Sequence, residues 1–279
     1  MSQQEVGGDG DFYREAGIEI RPLDVAECYE DWDTPTTIIS DGAYGTGLFP
    51  NEPDETEDIP EWYEPHVRAW SERATPRTTL WFWNTELGWA EVHPILKEHG
   101  WTYCGCNIWN KGMGHIAGNS NTKRMRKFPQ VTEVCVQYVR DAEFTSPNGE
   151  NPVNAEKWSR NRSKFDLDAG VTNVWEEGQV NGSERVVDGT KARHTNQKPL
   201  RLMYRIIEAT TDRGDVVWEP FGGLCTGAVA AKQLGRKYCA AERVADYYEI
   251  AVNRLRNTES ESLPEPQQSK LLGYSEGAQ

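Results

Sequence analysis

Short apolar runs set between polar turns dominate this chain, and long amphipathic stretches are few. Strand 36–40, Thr79-Leu-Trp-Phe-Trp83, Trp101 to Trp109 and Val131 to Val139 each read as strands. In the last of these, Val134, Val136 and Tyr138 share one face by the period of two. Ile18-Glu-Ile20 predicts a shorter strand running into Leu23-Asp24. Residues 50–64 read as an acidic, proline-containing loop, and the helical stretch after Trp83 is interrupted at Pro94.

A different pattern begins at Pro199, a residue suited to a helix start. Leu200, Met203, Tyr204 and Ile207 follow it at i, i+3, i+4 and i+7 spacing. Strand 216–219, a helix from Thr226 to Leu234, strand Tyr238 to Glu242 and a helix carrying Tyr248, Ala251, Val252 and Leu255 complete a β-α-β-α order. This alternation predicts an α/β fold with a doubly wound, mostly parallel sheet. Residues 1–17 are polar and Gly-rich and read as a flexible N-terminus, with the domain running from 18 to 256 and a disordered acidic tail over 257–279. From 141 to 193 the apolar pattern fades, which predicts an inserted, loop-rich lobe rather than core.

Composition changes the picture only in part. There is no apolar run near 18 residues and no charged-apolar-small leader, so a soluble, intracellular (cytoplasmic) protein without a membrane partner is expected. The six cysteines are scattered, mostly in apolar strands, as reduced core thiols would be. Cys104-Gly-Cys106, with His93 and His99 nearby, lacks a second ligand pair and reads as packing on one strand face, so no metal is expected. A net charge of −14 would ordinarily argue against a nucleic-acid partner. The 30 cations are, however, mostly Arg, and the acids crowd the first 64 residues and the tail, as on halophilic surfaces. In concentrated salt such global charge is screened within a few Å, and local contacts decide.

The chemistry concentrates at two strand ends. Glu219-Pro-Phe-Gly-Gly-Leu-Cys-Thr-Gly-Ala228 follows Val216-Val217-Trp218, with an acid at the strand end and glycines where backbone can approach a ligand. Glu242 ends the next strand, about 20 residues on, where an acid commonly accepts from ribose hydroxyls. The spacing is neither G-x-G-x-x-G nor a phosphate loop, which favours a nucleoside without phosphates. Asp41-Gly-Ala-Tyr44 places an acid and an aromatic at the end of a second strand, able to face the first cluster across a cleft.

These motifs, with His194-Thr-Asn-Gln-Lys-Pro199, resemble those of the circularly permuted β class of S-adenosylmethionine-dependent amino-group DNA methyltransferases. The cofactor motif D-P-F-x-G-S-G-T corresponds to Glu219 through Thr226, Q-K-P to Gln197 through Pro199, and the catalytic D/S-P-P-Y to Asp41 through Tyr44. Asn173-Val-Trp175 and Thr132 to Tyr138 are also similar to segments of that class. The chain departs from it at Glu219, at Leu224-Cys225 and in both missing prolines of the catalytic motif.

The resemblance implies a Rossmann-like fold, with 141–193 as the target-recognition lobe, and a site-specific DNA methyltransferase using S-adenosylmethionine on double-stranded DNA. A possible restriction endonuclease partner comes with it. Catalysis would fall to Asp41, the Gly42 carbonyl and Tyr44, which would stack on a flipped base. Cofactor contacts would come from Asp24, Thr195, Gln197, Lys198, Glu219, Phe221, Gly223 and Glu242. Lys111, Lys123, Arg124, Arg126 and Lys127 would meet DNA phosphates, and Arg160 and Arg162 would read bases. Cytosine N4 is favoured over adenine N6 as the target. Two other classes stay open: a methyltransferase of RNA or a small amine, and a non-catalytic DNA-binding relative suggested by Gly42-Ala43.

Overall fold

Alternate residues along the strands send their side chains into two separate cores, one on each face of a single sheet. Ile38, Leu80, Phe82 and Trp218 join one cluster, while their neighbours Ile39, Trp81, Trp83 and Val217 join the other. The computed structural model describes residues 12–47, 52–112, 128–140, 172–180, 184–188, 191–192 and 197–259. Its strands are β1 (Tyr13–Glu15), β2 (Ile18–Arg21), β3 (Thr37–Ser40), β4 (Thr79–Asn84), β5 (Thr102–Asn110), β6 (Thr132–Val139), β7 (Val174–Glu176), β8 (Val187–Asp188), β9 (Lys191–Ala192), β10 (Val216–Glu219) and β11 (Lys237–Ala241). The helices are α1 (Ile59–Arg73), α2 (Glu86–Glu98), α3 (Leu200–Thr210), α4 (Thr226–Gln233) and α5 (Ala245–Arg256).

Nine strands pair in the order β1-β2-β11-β10-β3-β4-β6-β5-β7, and β8 and β9 form a separate hairpin. The run from β2 to β4 is parallel throughout. β6 is antiparallel to both neighbours, and β1 is antiparallel to β2. Helices α3, α4 and α5 cover the first core through Leu202, Met203, Ile206, Ala228 and Leu255. Helices α1 and α2 cover the second through Ile59, Tyr63, Val67, Trp70, Val92 and Leu96. The α/β, doubly wound expectation is met, and Val134, Val136 and Tyr138 do share a face while Cys135 points to the other core.

Several local expectations need correction. Helix α1 begins at Ile59 with Pro60 in its first turn, so the acidic loop ends earlier than its composition suggests. Helix α2 runs through Pro94 instead of stopping there. An internal proline costs about 3 kcal/mol. Burial of Val92 and Leu96, at roughly 1.5–3 kcal/mol each, is enough to offset it. Thr85 accepts from the Gly88 N–H at 3.1 Å and caps the helix start.

β1 lies inside the segment expected to be flexible, and Tyr13 is buried in the first core. Trp175 on β7 is 2% exposed and packs 6.1 Å from Trp81, so part of the 141–193 region belongs to the core. The register shifts between Tyr103 and Gly105, leaving Cys104 unpaired and interrupting the alternation that would put Cys104 and Cys106 on one face. Both thiols are free. No described helix is long and apolar enough to cross a membrane.

Candidate active site

From the adjacent strands β3 and β10 the chain departs in opposite directions, to β4 on one side and β11 on the other. A crevice opens beyond their carboxyl ends at such a switch point. Asp41 follows β3, Glu219 ends β10 and Glu242 follows β11, and all three line one cleft of about 360 Å³. Asp24, Gly42, Tyr44, Gln197, Lys198, Phe221 and Gly223 line it too, so one site brings together residues from Asp24 to Glu242.

The loop 41–47 lacks prolines, but neighbouring elements hold it. Asn84 Nδ2 donates to the Ala43 carbonyl at 2.9 Å, and the Tyr44 N–H donates to Glu52 at 2.6 Å. A Cβ at Gly42 would come within 2.7 Å of the Phe221 ring and the Tyr63 hydroxyl, so only glycine lets the loop lie this close to the turn after β10 and to α1. Ala43 faces the core, 3% exposed, and its carbonyl is occupied. The Gly42 carbonyl accepts no hydrogen bond from the described residues.

A buried charge cluster surrounds Asp41. Lys198 Nζ donates to both of its oxygens, at 2.7 and 2.8 Å, and the Tyr44 hydroxyl donates to Oδ1 at 2.8 Å. Lys198 also lies 3.3 Å from Glu133, which is bonded in turn to Lys111. Burial pushes the Asp41 carboxyl up, against the pull of Lys198. Burial opposes the Lys198 charge, yet Asp41 and Glu133 together hold that ammonium above its ordinary range. Glu133 is partly buried, which works against its charge, but Lys198 and Lys111 keep its carboxyl low. The resemblance implies Lys198 among the cofactor contacts; the fold places its ammonium on Asp41. Glu133 was not singled out, and no local signal marks it.

Across the cleft, Glu242 Oε2 accepts from the Gly223 N–H and Oε1 from the Val244 N–H, both at 2.7 Å. Its carboxyl is pushed up to about 7 by burial, against those two donors. Gly223 has φ +52, which suits glycine. Cys225, where the resembling motif has glycine, also adopts a left-handed φ of +48. Its sulfur fills the space beside Gly222, where an added Cβ would come within 2.8 Å.

The Glu219 carboxyl turns inward to the Tyr238 hydroxyl and the Gly227 N–H of the first turn of α4, and burial raises it well above the usual range. The helix terminus that would hold a phosphate is therefore occupied by a side chain, which fits a phosphate-free nucleoside.

Aromatic residues from α1 complete the wall. Trp62 and His66 pack 4.9 and 5.0 Å from the Phe221 ring and line the cleft. Burial lowers His66 to about 4, so it is neutral at ordinary pH. Neither residue was anticipated, because their segment read partly as loop.

Asp24 caps a turn through Ala26 and pairs with Arg243 at 3.0 Å while lining the cleft. Gln197 ties this wall to the inserted region, donating to the Glu184 carbonyl at 2.9 Å and accepting from the Val186 N–H at 3.1 Å.

Lys111, expected at DNA phosphates, is instead mostly enclosed. It pairs with Glu133 and lies 4.8 Å over the Trp109 ring, so its charge is already compensated. Thr195, Lys123, Arg124, Arg126, Lys127, Arg160 and Arg162 lie outside the described residues. Among the described residues no group of three His, Cys, Asp or Glu could hold a metal ion.

Comparison with known proteins adds an independent line. The profile of a family described as DNA methylase, N6_N4_Mtase, matches residues 36–253. The Type II methyltransferase M.HinfI of Haemophilus influenzae is 41% identical over 101 residues, 36% of this chain and 27% of that protein. The matched stretch thus spans about a quarter of the length of that curated relative. Among solved structures, the M1.HpyAVI–SAM complex has a TM-score of 0.59 at 22% identity, over 85% of this chain and 98% of that one. The PvuII DNA methyltransferase (cytosine-N4-specific) has a TM-score of 0.61 at 14% identity, over 89% and 98%. Both share the fold.

Proposed function

Because the chain belongs to the N6/N4 DNA methylase family that its residues 36–253 match, we propose that it methylates an exocyclic amine of a base in double-stranded DNA. The observation that carries this reading is the meeting of Asp41 and Gly42 with the Gly223–Glu242 cradle in one cleft. S-adenosylmethionine, when bound, supplies an electrophilic methyl group on a sulfonium. Glu242 and the Gly223 backbone would hold its ribose, the Phe221–Trp62–His66 wall its apolar parts, and Asp24 its base. The plugged helix terminus at Gly227 supports a cofactor of this kind over a dinucleotide.

An amine conjugated to a base ring is a poor nucleophile. Hydrogen bonds from its two N–H groups to Asp41 and to the Gly42 carbonyl would favour a tetrahedral nitrogen and free its lone pair. Asp41 accepts three hydrogen bonds within the protein, which leaves one acceptor site for the target. Such a base must leave the duplex, at a few kcal/mol, and stacking on the Tyr44 ring would return part of that. The Tyr44 hydroxyl is held by Asp41, which sets the ring's position.

Cytosine N4 is the favoured target atom and adenine N6 the alternative, since both present the same amine chemistry. The held loop 41–44 favours an active enzyme over a non-catalytic relative. A cognate restriction endonuclease and an acid-rich surface adapted to salt complete the proposal. Transfer of radiolabel from S-adenosylmethionine to duplex DNA, followed by nucleoside analysis, tests the activity and the target atom at once. Label in N4-methylcytosine supports the favoured reading, label in N6-methyladenine selects the alternative, and no label in DNA refutes both.

A further inference from the structure

From the buried cluster we infer that Glu133 is the counter-ion that secures the Lys198 ammonium whenever Asp41 takes up a proton. This makes Glu133 a positioning residue for Asp41, and the inference rests on the reading of Asp41 as partner of the target amine. Glu133 comes from β6, the antiparallel strand between β4 and β5, and its Oε2 lies 3.3 Å from Lys198 Nζ. Lys111 pairs with its other oxygen, and the Tyr44 hydroxyl lies 2.8 Å from Asp41 and 3.4 Å from Glu133. Two carboxylates and two ammoniums thus balance, with Lys198 only 3% exposed.

A base nitrogen that has gained a methyl group carries a positive charge and has to lose a proton. Its N–H bond breaks with the electron pair staying on nitrogen, and an O–H bond forms on the Asp41 carboxylate. The proton leaves later to water. In the intervening state Asp41 is neutral and no longer balances Lys198. An uncompensated ammonium at this depth is costly enough to oppose protonation of Asp41. Glu133 removes that obstacle because it is a second anion within reach of the same nitrogen.

The other groups facing Asp41 do not supply this charge. Tyr44 from its own loop, Tyr63 from α1, Cys135 from β6 and Glu219 from β10 are all driven toward their neutral forms by burial. Lys111 is positive. Glu133 stays ionised between its two lysines, and its charge favours a proton on Asp41.

Glu133→Gln tests the inference. Carbon-13 NMR of protein with labelled aspartate carboxyls, assigned with Asp41→Asn, follows the Asp41 titration without any turnover. The expected result is a fall in the Asp41 pKa of about one unit or more, a tenfold or larger change in its proton affinity. Single-turnover transfer should slow by about tenfold with its acid limb moved to lower pH, cofactor affinity should stay within about twofold, and Glu133→Asp should restore the profile.

Should Glu133→Gln fail to fold, the double variant Lys111→Met/Glu133→Gln removes the ion pair without changing net charge and should still lower the Asp41 pKa, by less than the single variant because a more distant cation leaves with the nearer anion. An unchanged or raised Asp41 pKa in either variant overturns the inference. If the wild-type protein transfers no methyl group, the functional reading fails and the role as a base fails with it, whereas the titration still decides whether Glu133 controls Asp41.

Discussion

Replacing Glu242 by Ala should weaken S-adenosylmethionine binding by about 1.5–3 kcal/mol, the range for hydrogen bonds to a charged group. That is a loss of roughly ten- to a hundred-and-fifty-fold in affinity. The structure adds a pH dependence to this figure. Each Glu242 oxygen accepts one backbone N–H, from Gly223 and from Val244, and its carboxyl is pushed up to about 7 by burial. Ribose hydroxyls donate to the ionised form, so cofactor affinity should rise as pH climbs through 7, by about tenfold between roughly pH 6 and 8 if only the carboxylate binds.

The stability sign is the opposite. A carboxyl whose folded pKa lies above its unfolded value stabilises the fold at low pH, and that contribution is lost as pH rises through about 7. Titration calorimetry over one pH series, on the wild type and Glu242→Ala in parallel, is the assay. The cofactor's own α-amino group titrates nearby, and the variant serves as its control. Equal affinity and equal pH dependence in a folded variant would refute the assignment of Glu242 to the ribose.

Other expectations are as concrete. Asp41→Ala should abolish methyl transfer while cofactor affinity changes far less, and retention of more than about a tenth of the single-turnover rate would remove Asp41 from the chemistry. Gly222→Ala should destabilise the fold by about 1–3 kcal/mol in denaturant titration, because its Cβ would meet Cys225 Sγ at 2.8 Å. The same change in a Cys225→Gly background should cost less, and strictly additive effects would show that the sulfur is not the obstacle. Replacing Lys123, Arg124, Arg126 and Lys127 together by Ala should reduce the log–log salt slope of duplex binding by about 2–4, given about 0.9 per phosphate contact. Arg160→Ala and Arg162→Ala should instead change which sequences are methylated, and an unaltered salt slope in the quadruple variant would move the DNA path elsewhere.

What could be read from the sequence lies mostly between Pro199 and Arg256. There strand and helix periods are clean, and boundaries agree with the structure to within about a residue or two, as for β10 and α4. The two strand-end clusters were also legible, since an acid after an apolar run marks the carboxyl edge of a parallel sheet wherever it occurs. Helix α1 was harder. Its register of Ile59, Tyr63, Val67 and Trp70 is plain only once β3 and β4 supply the face that buries it, because acidic residues and two prolines mask the local signal. The same holds for Pro94 in α2 and for Trp175 in β7, where burial against a distant partner outweighs local propensity.

The sequence by itself determined the fold class, the glycine-containing turn after β10 and the presence of an acid at each strand end, since these follow from short-range periods and from residue types confined to a few positions. Only the tertiary structure decided what the acids do. Lys198 reaches Asp41 across 157 positions of chain, and Glu133 joins them from β6 and Lys111 from just beyond the end of β5. Of two acids that line the cleft, Glu219 turns its carboxyl to the Tyr238 hydroxyl while Glu242 accepts from the Gly223 N–H, although one ends and the other follows a strand of the same β-α-β unit. Coulomb interaction and desolvation depend on distance and depth in space, and neither quantity is encoded in the local order of residues.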